Sequence, residues 1–67
     1  MINLKKLTND DIGREVVYTT YSSKEKGILK SWNSKWIFVV YNCADDWENY
    51  QDYTAAATDP NDLDFIS

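Results

Sequence analysis

The chain has 67 residues and is predicted to form one domain over residues 1–67, whose core contributes on the order of 3–5 kcal/mol of stability unless a disulfide, a metal or a second subunit adds to it. It contains one cysteine, Cys43, and no histidine, which excludes an intrachain disulfide and removes the usual nitrogen and sulfur ligands of zinc. The net charge of −4 is divided unevenly: residues 1–35 carry seven basic and four acidic side chains, whereas the remainder carries seven acids and no base.

Residues 8–13 are predicted to form a helical turn before the first strand. Thr8 and Asp11 have the spacing of a capping box. Gly13 then suits the left-handed backbone conformation with which helices often end. Five strands are predicted from β-branched and aromatic runs between polar clusters, at residues 14–21, 27–32, 35–42, 53–58 and 63–66.

The third strand contains the unbroken apolar run 36–41, which is typical of a central strand that is covered on both faces. If Asn33 and Ser34 form a two-residue hairpin turn, Leu29 pairs with Phe38. This register, which a shift of one residue would invalidate, predicts an inward-facing core of Val17, Leu29, Phe38, Val40, Leu63 and Phe65.

The other face of the central hairpin is predicted to be unusually apolar. A monomer this small has little chain left to cover such a patch, and monomers seldom leave a large apolar patch without a use. The cover is expected to come from residues 1–7, from the acidic loop, from a second copy of the chain or from a different protein. The predicted partner-binding residues are Ile28, Trp32, Ile37, Val39 and Tyr41.

The connection after the third strand combines acidic and aromatic residues. Trp47, Tyr50 and Tyr53 recur at intervals of three, which favours a short helical turn. A second turn is predicted where Asp59 precedes Pro60, just before the last strand. The acids of the connection are either solvated loop residues or part of a negative patch, which comprises Asp45, Asp46, Trp47, Glu48, Tyr50 and Asp52.

This order of elements resembles the small SH3-like, or Tudor-like, barrel. The positions that carry the resemblance are Gly27-Ile28-Leu29, the aromatic third strand and the Pro60 turn before Leu63. The fold class expected is therefore all-β, a five-stranded SH3-like barrel with one short helical turn before strand 1 and one before strand 5. The sequence also resembles short uncharacterised proteins of tailed phages and prophages, through the segments 11–13, 25–27, 31–33, 38–41 and 60–63.

The resemblance implies no catalytic residues, and none is predicted from the sequence. A nucleophile such as Cys43 would lack histidine, its commonest proton acceptor. No cofactor or metal site is predicted either, because the acids at residues 45–48 lack the spacing of a calcium loop. Lysines cluster around the central hairpin, but the acidic half would repel the same polyanion, so nucleic-acid binding is not expected. With one unpaired cysteine and no long apolar segment, the chain is expected to be cytoplasmic, with no membrane partner.

Two functions of different class follow from these surfaces. The first is a non-enzymatic protein-interaction module that binds a protein partner, or itself as a homodimer, through the outer apolar and aromatic face of strands 2 and 3. The alternative is an acidic mimic of nucleic acid that inhibits a basic host or phage protein. Salt separates the two, because an apolar contact is nearly independent of ionic strength whereas a charged one weakens steeply.

Overall fold

A computed structural model of the chain describes residues 1–42 and 46–66. These residues form five strands and four short 3-10 helices. The strands are β1 (Glu15–Thr19), β2 (Lys24–Trp32), β3 (Ile37–Val40), β4 (Ala56–Thr58) and β5 (Leu63–Phe65). The helices are η1 (Leu4–Lys6), η2 (Asn9–Asp11), η3 (Trp47–Asp52) and η4 (Pro60–Asp62).

The five strands form one antiparallel sheet in the order β4-β3-β2-β1-β5. The predicted all-β class and the number of strands are confirmed. The sheet is not closed, since β4 and β5 are its two ends. β2 is its longest strand, with nine residues, and lies in the centre. The chain segments that pack on the two faces of β2 therefore determine which parts of the sheet remain exposed.

The predicted turns before β1 and β5 are both present as 3-10 helices. At η2 the Thr8 N–H donates to the Asp11 carboxylate at 2.9 Å, and Gly13 follows with a φ of 93°. At η4 the Asp59 carboxylate accepts from the Asn61 N–H at 2.9 Å. These short polar contacts satisfy N–H groups that a helix start leaves without partners.

The register between β2 and β3 differs from the prediction. Leu29 lies opposite Val39 rather than Phe38, and a bulge lies between Leu29 and Ser31. Two features combine to produce this one-residue shift. The turn has four residues instead of two, with the Asn33 side-chain oxygen accepting from the N–H groups of the second and third residues after it at 2.8 and 2.7 Å, and a longer turn of this kind alone would move the pairing by two residues and keep the same faces. The bulge then takes back one residue of that movement. Asparagine favours such side-chain turns. The resulting shift of one residue places Val39 instead of Phe38 on the same face as Leu29, which reverses the faces assigned to β3.

In β1 and β3, the residues in the core cluster are the sequence neighbours of the residues predicted to be there. Val16 replaces Val17 because it shares a face with Gly27 and Phe65, its partners in β2 and β5. Phe38 is only half-buried, so its predicted place in the core is wrong. Val40 is fully buried on the opposite face, next to Ile28. The core cluster consists of Ile2, Val16, Leu29, Ile37, Val39 and Leu63, with Phe65 packed against it.

The amino-terminal segment covers this core. Ile2 is 5% exposed, and its N–H donates to the Pro60 carbonyl at 2.9 Å. Leu4 and Leu7 are half-buried against the same cluster. The Met1 amino group forms an ion pair with Asp64 beyond them. Of the covers considered for the apolar face of the hairpin, the chain's own residues 1–7 are therefore present on this side of the sheet.

Candidate functional site

The predicted partner-binding face does not exist as an exposed surface. Ile37 and Val39 have no exposed area and belong to the core, so their predicted outward orientation is wrong. Trp32 and Tyr41 are half-buried and pack against that core. Ile28 alone lies on the outer face, where it is 9% exposed.

The connection from β3 to β4 covers part of that outer face. Within it, η3 contacts β2, and the Lys30 ammonium donates to the Tyr53 carbonyl at 2.8 Å just after η3 ends. Trp47 opens η3 and faces the edge of a cleft that Ile28 helps to line. The predicted short helical turn is therefore present, as a 3-10 helix that ends one residue before Tyr53.

Asp46 and Tyr50, two members of the predicted acidic and aromatic patch, make contacts within the fold. The Asp46 carboxylate accepts from the Asn49 side-chain amide at 2.9 Å and from the Tyr53 hydroxyl at 3.2 Å, which ties the start of η3 to its end. Tyr50 is half-buried, and its hydroxyl lies so near Gly13 that a β-carbon added there would meet it at 3.1 Å. Asp45 lies outside the described residues.

The remaining members of the patch face solvent. Trp47 is 37% exposed, and the carboxylate-bearing residues Glu48 and Asp52 are exposed on the same short helix. Large hydrophobic side chains elsewhere on the described surface are also exposed, but they lie at the chain ends, as Met1 and Ile66 do, or in the β1–β2 turn, as Tyr21 does. Trp47 differs from them in bordering a concave surface.

That surface is a cleft of about 270 Å³ between η3 and the β1–β2 pair. Its lining consists of Glu15, Lys26, Gly27, Ile28 and Trp47. Glu15 lies opposite Ile28 in the β1–β2 register, and the Glu15 carbonyl also accepts from the Ile66 N–H at 3.1 Å. The position of Glu15 at the base of the cleft is therefore fixed by β2 on one side and by the end of the chain after β5 on the other. We call this surface the η3 cleft.

The sequence did not reveal Glu15 and Lys26 as members of this site. They come together with Trp47 only because β1 and β2 pair through a short turn, in which the Thr20 N–H donates to the Ser23 carbonyl at 2.9 Å. The predicted loop over residues 22–26 was too long, since β2 already begins at Lys24. A four-residue turn at 20–23 would have placed Glu15 opposite Ile28.

A second concave surface lies beside the amino terminus, and Arg14 and Asp11 in its lining bond each other. The Arg14 guanidinium bonds the Asp11 carboxylate at 2.9 Å and lies over the Phe65 ring at 3.8 Å. The hydrogen bond from the Thr8 backbone, followed by that from Arg14, lowers the pKa of Asp11. These contacts fasten the segment before β1 to the end of β5.

Tyr41 makes a further internal contact on the core side of the sheet. Its hydroxyl and that of Thr58 are 2.8 Å apart, and its ring centroid lies 6.0 Å from that of Tyr18. Burial raises the pKa of Tyr41, and the hydrogen bond to Thr58 opposes that rise. Tyr41 thus joins β3 to β4 and is not a free member of an aromatic binding surface.

Within residues 1–42 and 46–66, no group of three or more histidine, cysteine or acidic side chains is placed to hold a metal ion. The helices of that part of the chain have at most six residues, and none has the length and apolar character needed to span a bilayer. Comparison with known proteins gives no matching family model, no matching curated protein and no matching solved structure.

Proposed function

We propose that this chain is a small non-enzymatic protein-interaction module that binds its partner at the η3 cleft. The observation that carries the proposal is the position of Trp47, a large aromatic side chain that is 37% exposed at the rim of a concave, partly apolar surface. Tryptophan is among the residues that most often dominate the binding energy of protein interfaces. Of the predicted partner-binding residues, Ile28 remains in the proposed site. Trp47 joins it, whereas the members of that set that lie in the core are not part of the site.

The strand order supports an SH3-like architecture for the module. A meander of four strands is completed by β5 next to β1, and η4 occupies the short connection between β4 and β5. We therefore propose that the five-stranded antiparallel sheet has an SH3-like architecture. The likeness to phage and prophage proteins and the cytoplasmic location stay predictions.

The test is affinity capture from the producing cell with the wild-type chain and two variants. Trp47→Ala removes the aromatic side chain of the cleft, and Tyr21→Ala is the matched control, since Tyr21 is fully exposed in the β1–β2 turn. That turn is at the opposite end of the β1–β2 pair from Glu15 and Ile28. Loss of a specific partner with Trp47→Ala alone supports the proposal. Equal capture by all three chains contradicts it.

A second candidate is the acidic mimic of nucleic acid, which the charge distribution favours. All seven acids after residue 35 lack a basic neighbour in the same half of the sequence, and Glu48 and Asp52 are exposed on η3. Capture by such a mimic should fall steeply between low and high salt, whereas binding centred on Trp47 should persist. Measuring the mass of the free chain in solution decides whether the captured partner is a second copy.

A further inference from the structure

We infer that the η3 cleft receives an arginine side chain of the partner protein, an inference that rests on the proposed function. The volume of about 270 Å³ lies near the lower end of the range for ligand pockets and is sufficient for a single long side chain. The base is apolar at Ile28, and the Trp47 indole forms one border. Such walls favour a side chain with a long apolar stem.

The charges around the cleft favour a cationic end group on that stem. Glu15 contributes a carboxylate and Lys26 an ammonium to the lining, and Glu48 is exposed next to Trp47, so the carboxylates outnumber the ammonium by two to one. The ion pairs among the described residues join Met1 to Asp64 and Arg14 to Asp11, so Glu15 is not engaged in one. A cation attracted to the indole face would therefore find a carboxylate in the same cleft.

Arginine fits this combination better than lysine. Its planar guanidinium stacks on aromatic rings and bonds carboxylates with two parallel N–H groups, whereas the lysine ammonium is a compact and strongly hydrated charge. The chain already contains one such arrangement in Arg14, which lies over the Phe65 ring and bonds Asp11. The η3 cleft presents a ring and a carboxylate without the guanidinium.

Lys26 makes the inference sharply testable because it is the one cation among the described residues of the lining. Its ammonium opposes an incoming guanidinium, so Lys26→Gln should strengthen binding while Glu15→Gln weakens it. An acidic partner group would reverse both signs. Both side chains are exposed, and neither belongs to the core, so these variants leave the fold in place.

The experiment measures the affinities of nona-arginine and nona-lysine peptides for the wild-type chain and its variants by fluorescence anisotropy at moderate salt. The two probes carry equal charge, so their affinity ratio isolates the guanidinium. We expect nona-arginine to bind roughly tenfold more tightly, and Trp47→Ala to bring the ratio close to one while Tyr21→Ala leaves it unchanged. Glu15→Gln should weaken nona-arginine binding roughly two- to fivefold, and Lys26→Gln should strengthen it by a similar factor.

A ratio near one in the wild-type chain, absence of binding, or opposite signs for the Glu15 and Lys26 variants would overturn the arginine assignment. Those results leave the proposed function intact if capture of the cellular partner still depends on Trp47. Conversely, a selective peptide site combined with capture that ignores Trp47 would refute the proposed function alone. The two ideas therefore fail separately.

Discussion

Replacing Gly27 by alanine tests the packing of the central strands most severely. The new β-carbon would lie 2.4 Å from a Val39 methyl group and 2.9 Å from the Val40 carbonyl oxygen. Nonbonded carbon atoms prefer separations of about 3.5–4.0 Å, so the first contact overlaps by more than about 1 Å. A side chain can move away, but the carbonyl is part of the β3 backbone and cannot move without disturbing the sheet.

Overpacking of this kind costs about 1–3 kcal/mol. The stability expected of a core this small is on the order of 3–5 kcal/mol, so Gly27→Ala should remove a large share of it. With a urea dependence of about 1 kcal/mol per molar for a chain of this size, the unfolding midpoint should fall by about 1–3 M. Urea denaturation followed by tryptophan fluorescence measures this shift.

A double-mutant cycle with Val39→Ala identifies the cause. That single change should itself cost about 1–2 kcal/mol, because it removes two buried carbon atoms from a fully buried side chain. In the double variant the methyl clash is gone while the clash with the Val40 carbonyl remains, so the combined cost should be smaller than the sum. Strict additivity, or a Gly27→Ala variant with the wild-type midpoint, would refute the close approach of β2 and β3 described above.

Four further outcomes are expected. Val39→Glu should prevent folding, as seen by circular dichroism, because it places a charge in the core; a folded variant would contradict the β3 assignment. Phe38→Ala should lower the free energy of unfolding, measured by urea denaturation, by less than the ~3–5 kcal/mol typical of a fully buried phenylalanine; a loss in that range would restore Phe38 to the core. Burial raises the pKa of Tyr41, so the associated stabilisation is complete below the ordinary value of 10.0 and disappears as pH rises through the raised value. Tyr41→Phe should therefore flatten the loss of stability at alkaline pH, measured by thermal melting at several pH values. An unchanged pH profile would contradict a contribution from Tyr41. Backbone and side-chain hydrogen bonds lower the pKa of Asp11, so its stabilisation is present above the ordinary value of 3.8 and disappears as pH falls through the lowered value; an equally steep acid limb in Asp11→Asn would exclude that contribution.

Local patterns predicted the elements of this fold well because short-range chemistry determines them. Gly13 adopts the positive φ expected of it, and Asp59 caps the turn that begins at Pro60. The alternation of side chains in β3 was also recognised. Its direction was not, because alternation alone does not say which of two apolar faces points inward.

The pairing of β2 with β3 depended on two features that hydrophobic patterning does not display, and the second of them determines which face of β3 points inward. One is the Asn33 side chain, whose two hydrogen bonds to following N–H groups lengthen the turn. The other is the bulge between Leu29 and Ser31, which interrupts the alternation of β2. Ile2 then completes the core from a part of the chain whose pattern had suggested no strand or helix.

The candidate site was predictable only in part. The acidic and aromatic character of residues 46–52 was evident from the sequence, and Trp47 was included in the predicted patch. The separation of roles within the patch was not evident, because Asp46 and Tyr50 acquire structural contacts only when η3 folds onto Tyr53 and Gly13. Residues of the cleft that come from β1 and β2 require the strand register, which is a property of the folded sheet.

Site-specific photo-crosslinking tests the central claim, that the partner contacts the η3 cleft, most directly. A photoreactive phenylalanine analogue is placed at position 47, and in a second chain at the more exposed control position 21, and each is irradiated with the captured partner. We expect a covalent adduct from position 47 and none from position 21. An adduct from position 21 without one from position 47 would contradict it.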